Sequence, residues 1–146
     1  MLLGIGLNEG DMKHSVHTYE KLYQELGKIF YAVSVCDNCI RKEEINALKK
    51  IIREKWVDFE DTLDQFNTDT AFLIETVFDW LIDQKWDAKN ALSSFEKFKK
   101  EHESLFNREL KALILTTVNR IAESFASKNK SELIFISKLQ QILFTK

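Results

Sequence analysis

Residues 31–52 read "YAVSVCDNCIRKEEINALKKII", and how this stretch folds decides how the rest of the chain is read. Tyr31 to Val35 are small or apolar, as at the buried end of a helix. Ile40 is apolar again, and from Lys42 onward Ile45, Leu48, Ile51 and Ile52 recur at spacings of three and four. That is the period of a helix with one buried face. Between the two runs stands Asn38, the residue type that after glycine most readily takes the left-handed conformation ending a helix. The stretch therefore predicts two helices joined by a tight elbow.

The same period runs outward in both directions. A first helix is expected from about His14 to Cys36, burying Tyr19, Leu22, Leu26, Ile29, Phe30 and Val33, and a second from Lys42 to Trp56. The acidic run "VDFEDTLDQFNTD" (57–69) breaks the pattern, with at most one helical turn at Phe59 to Leu63. A third helix covers about Asp69 to Gln84 with Phe72, Leu73, Val77 and Leu81 as its core stripe. Asp87 suits the N-cap of a fourth, which carries Leu92, Phe95 and Phe98 and ends near Glu103. The fifth has the cleanest pattern: Leu110, Leu113, Ile114, Thr117, Val118, Ile121, Ala122 and Phe125. The sixth, "SELIFISKLQQILF" (131–144), is apolar on more than one side, as a central or further-covered helix would be.

Proline is absent, and all four glycines lie at or before Gly27. The strongest helix breakers are thus missing from residue 28 onward, which favours an all-α chain. At 146 residues it is long enough for one substantial core, so the expectation is one compact bundle of six to seven helices. Residues 1–11 are expected to be a flexible leader, with Met12 as an alternative start, and residues 12–146 the helical domain.

Charge and cysteine usage restrict function. A formal net charge of −2 gives no electrostatic case for nucleic acid, which calls for a basic face or stripe, and the densest basic cluster, Lys97, Lys99 and Lys100, suits a solvated helix face as well. No stretch approaches the length of a membrane span, and no basic region precedes the apolar N-terminus, so the expected compartment is the cytoplasm. Cys36 and Cys39 form a C-x-x-C pair, but Cys36 stands at a helix C-terminus beside Asp37. Helix dipole and aspartate both oppose a thiolate there, so a redox role is disfavoured. Structural zinc needs four ligands, and the chain has no second such pair and only His14, His17 and His102. Asp37 and Glu44, which can approach one another across the elbow, and the acids of the linker suit weak binding of calcium or magnesium better than zinc, with a solvated acidic surface as the plainer reading. Glu44 also suits the third position of its helix as a capping acid.

A second elbow repeats the first. Laying Glu44 on Glu132 places Val33 on Ile121, Ile45 on Leu133, Leu48 on Ile136 and Arg41 on Asn129. There Asn129-Lys130-Ser131-Glu132 reads as a capping box, with Asn129 as the cap and Glu132 reaching back to the cap's amide. The two elbows together suggest an internal helix–turn–helix pseudo-repeat.

A helix ending in small apolar residues, then Asp-Gly-x-Ile, then an acid early in the next helix is the pattern that TerB-like domains carry. "VSVCDNCIRKEE" resembles it through Asp37, Asn38, Ile40 and Glu44, over a chain that fits from about Met12 onward. That family is named for a tellurite-resistance protein and is similar to the N-terminal region of certain DnaJ-type co-chaperones. Here Asn38 replaces the family's glycine, and Phe125 stands where a repeated aspartate would be. The resemblance implies a non-catalytic interaction or stress-associated module with a protein partner or self-association. The sequence itself offers no nucleophile–base motif, no phosphate loop and no E-x-x-H pair. Its aromatic residues, among them Trp56, Trp80, Trp86, Phe72, Phe78, Phe95, Phe98 and Phe106, exceed what a core needs. Any left exposed would mark a docking patch.

Overall fold

A computed structural model describes residues 16–35, 42–56, 70–124 and 130–145. They form six α-helices and no strand: α1 Val16–Ser34, α2 Lys42–Trp56, α3 Thr70–Gln84, α4 Ala91–Glu101, α5 Arg108–Ser124 and α6 Lys130–Phe144. Short 3₁₀ turns, Ala88–Asn90 and Glu103–Leu105, flank α4. The all-α bundle expected from the sequence is what the described residues build.

α1 is the hub. Leu22, Leu26, Ile29, Phe30 and Val33 are completely buried on it, each worth roughly 1.5–3 kcal/mol by area. This helix packs against α3, α4 and α5, and α2 packs chiefly against α5 and α3. The rings of Phe30 and Trp56 meet at 5.9 Å, and Trp56 donates its indole N–H to Thr117 Oγ1 at 2.9 Å. Thr117 passes its own proton to the Leu113 carbonyl at 2.8 Å, so a buried indole and a buried hydroxyl satisfy each other inside the core. At the far end Phe106 packs edge-on to both Phe95 and Phe98.

The helix ends follow local chemistry. Asp87 accepts the Lys89 N–H at 2.9 Å and caps the 3₁₀ turn leading into α4, at the place where the sequence put an N-cap. Asn107 accepts the Leu110 N–H at 2.8 Å and starts α5 in the same way. α3 ends in a Schellman motif. Trp86 N–H bonds the Leu81 carbonyl at 3.0 Å, Lys85 N–H bonds the Ile82 carbonyl at 3.1 Å, and Lys85 itself sits at φ 51°.

Two expectations need correction. The core stripe of α3 is Ile74, Phe78 and Leu81, while Leu73 and Val77 are half-buried and Phe72 is 57% exposed. This helix is apolar on nearly every side, so two stripes fit the period and only packing against α1 chooses between them. For α6, of the two readings, central or covered by a further element, the central one fails among the described residues. The helix lies against α5 and α4 and leaves Leu133, Ile134 and Phe144 exposed.

The pseudo-repeat holds in part. The shift that overlays Glu44 and Glu132 lays α2 on α6 from first residue to last. Val33 and Ile121 are both fully buried, as are Leu48 and, nearly so, Ile136. Ile45 is half-buried whereas its counterpart Leu133 is exposed, because nothing among the described residues covers that side of α6.

Candidate interaction surface

α1 and α3 run side by side in the same direction, and their closest approach is set by Gly27. A Cβ there would stand 2.7 Å from Val77 Cγ1, so only glycine permits this separation. On the solvent side of this contact the helices diverge into a groove. One part, of about 420 Å³, is lined by Gln24, Lys28, Thr76, Val77, Trp80 and Leu81. It continues into a smaller part lined by Glu20, Tyr23 and Leu73 together with the shared Gln24, Thr76 and Val77. The floor is apolar, and Glu20, Gln24, Thr76 and Lys28 are among the polar residues along it.

Trp80 forms the outer wall and is 56% exposed, although a tryptophan side chain is among the most costly to leave in water. Phe72 stands two turns earlier on α3, and Thr76 lies between them with its hydroxyl donated to the Phe72 carbonyl at 2.8 Å. The small residue between two large rings keeps the strip open to an approaching side chain.

Charged groups fix the walls. On the α2 side, Lys49 Nζ pairs with Asp79 Oδ1 at 2.7 Å. Arg53 Nη2 lies 2.9 Å from Glu75 Oε2 but directs its hydrogen to Oε1 at 3.1 Å, leaving Oε2 in charge contact without a hydrogen bond. On the α4 side the carboxylate of Glu25, only 4% exposed, accepts from Ser94 Oγ at 2.8 Å and from Lys28 Nζ at 3.1 Å. Lys28 lies 5.8 Å from the centre of the Trp86 ring. Ser94 thus gives its proton to a buried carboxylate, which holds the hydroxyl as a structural donor joining α1 to α4. Lys99, 2% exposed, similarly donates to Glu103 at 3.0 Å and to the Thr145 carbonyl at 3.0 Å, tying the end of the chain to α4.

A separate cleft opens where α1 and α3 end. Tyr31 forms one wall and donates its hydroxyl to the Trp86 carbonyl at 2.8 Å. Burial, reinforced by the nearby Asp87 carboxylate, pushes the Tyr31 phenol above its ordinary pKa of 10.0.

Most of the elbow residues singled out by sequence fall outside what the structure describes. Asp37, Asn38, Ile40 and Asn129 lie outside the described residues, as do Cys36, Cys39 and the 57–69 linker. Glu44 falls in the first turn of α2, but its side chain is likewise outside what is described. Glu132 is in the first turn of α6 and is 1% exposed, buried as a capping acid can be. Among the described residues no three His, Cys, Asp or Glu side chains come together as metal ligands, and no helix is long and apolar enough to cross a membrane. The exposed aromatics were legible as a class in the surplus of rings, but not which rings would be left outside.

Comparison with protein-family models, with curated proteins and with solved structures gives no match to this chain.

Proposed function

We propose that this chain is a non-catalytic, TerB-like helical interaction module of the cytoplasm, and that it engages a protein partner or a second copy of itself through the α1–α3 groove. One observation carries the reading: Trp80 stands more than half exposed as the wall of an apolar groove floored by Val77 and Leu81. Large rings at the edge of a preformed groove are the usual anchors of helix-in-groove and related recognition, where a few aromatic residues supply most of the affinity. The TerB-like elbow, with Asp37, Asn38, Ile40 and Glu44, supports the stress-associated side of the proposal.

The test is capture from native cytosol with the wild-type chain and with the double variant Phe72→Ser/Trp80→Ser, both shown by circular dichroism to be folded. Proteins, or copies of this chain, retained by the wild type and lost with the variant support the reading. Identical retained sets contradict it.

A further inference from the structure

The cleft at the ends of α1 and α3, about 520 Å³ in volume, is distinct from the groove and has a composition of its own. Tyr31 and Trp86 present rings with centres 6.0 Å apart, and Ile82 adds apolar surface. Among the described residues that line it, the cationic ones are Lys85 and Lys89 and the one carboxylate is that of Asp87. That carboxylate is already engaged by the Lys89 backbone N–H.

Lys85 is the telling residue. It occupies the left-handed position of the Schellman motif at φ 51°, where glycine pays no steric penalty and a lysine does. Backbone strain held on a side chain that lines a cleft is a recognised mark of a binding position.

We propose that this cleft is a binding site for a small aromatic monocarboxylate. The ligand's ring lies against Tyr31, Trp86 and Ile82, and its carboxylate is held by Lys85 and Lys89. Among the described lining residues, two cations stand against one anion and leave one positive charge to match, which favours a single carboxylate over a neutral or doubly charged ligand. The ring walls select a flat body over a branched aliphatic one.

The probes are sodium 1-naphthoate and its uncharged relative 1-naphthalenemethanol, titrated into the full chain by calorimetry, with the Trp86 indole N–H followed by NMR. Naphthoate should bind and shift the Trp86 signal, and the alcohol should bind at least tenfold more weakly. Lys85→Gly should raise the melting temperature by about 3 °C, since the strain is relieved, while weakening naphthoate at least tenfold. Lys89→Ala should weaken it similarly. A lysine present only to end the helix predicts otherwise, with the same thermal shift or a loss of stability and unchanged affinity. No binding of naphthoate at millimolar concentration, equal affinity for the two probes, or unchanged affinity in both lysine variants overturns the proposal.

Discussion

Gly27 of α1 and Val77 of α3 are in such close contact that the Cβ of any other residue at position 27 would come within 2.7 Å of Val77 Cγ1 and 2.9 Å of its Cβ. Alanine at position 27 would gain helix propensity of roughly 0.5–1 kcal/mol but meet a β-branched side chain that has little rotamer freedom to retreat. Overpacking of this kind costs about 1–3 kcal/mol. Gly27→Ala is therefore expected to destabilise the fold by about 1 kcal/mol net. The double variant Gly27→Ala/Val77→Ala should show a favourable but partial coupling in a denaturant cycle, because the 2.7 Å contact with Cγ1 is gone while the 2.9 Å contact with Cβ remains. Additive losses would mean the contact is not the constraint.

The orientation of α3 can be checked by contrasting its two faces. Phe78 is fully buried, and Phe78→Ala should cost about 3–5 kcal/mol. Phe72→Ser and Trp80→Ser remove side chains that are more than half exposed, and each should change stability by about 0.5 kcal/mol or less. Urea midpoints that ranked Phe72 with Phe78 would restore the stripe read from sequence.

Trp56 and Thr117 supply a test of core polarity. Thr117→Val keeps the volume but leaves the Trp56 N–H without the acceptor it meets at 2.9 Å. A buried unpaired donor costs about 1–3 kcal/mol, so the midpoint should fall accordingly. Combining it with Trp56→Phe, which removes the donor, should cost less than the two losses added.

Tyr31 makes a prediction about pH. Its phenol has a raised pKa in the folded state because burial, with Asp87 nearby, disfavours the phenolate. The folded state therefore holds this proton more tightly than the unfolded chain does. The resulting stability is fully present below the ordinary value of 10.0 and is lost as pH rises through the folded value. Tyr31→Phe should cost about 1 kcal/mol at pH 8 through the lost bond to the Trp86 carbonyl. The same variant should flatten the fall in stability above pH 10. Parallel pH profiles for the two proteins would contradict this origin.

Much of the fold was legible because period and punctuation are local properties. α2 was read with the same ends the structure gives, and α5 declared its buried face because Leu110, Ile114, Val118 and Ile121 recur at spacings of three and four. The misreadings share one cause. α3 and α6 are apolar around most of their circumference, so their sequences do not say which side meets α1 or α5. The site was less legible still. A groove is a property of two helices at once, and Gly27, which sets its width, looks in sequence like an ordinary helix glycine. Lys85 shows no sequence sign of its left-handed backbone, which the Schellman closure of α3 imposes.

The central claim is that the α1–α3 groove is where this protein meets another chain. The most direct measurement places a photo-crosslinking residue at Thr76, between Phe72 and Trp80, and in a second variant at Ala112 on the exposed side of α5. Irradiation in native cytosol should yield a discrete crosslinked species from position 76, either with a partner or with a second copy, and none from position 112. No discrete product from position 76, or the same products from both positions, would contradict it.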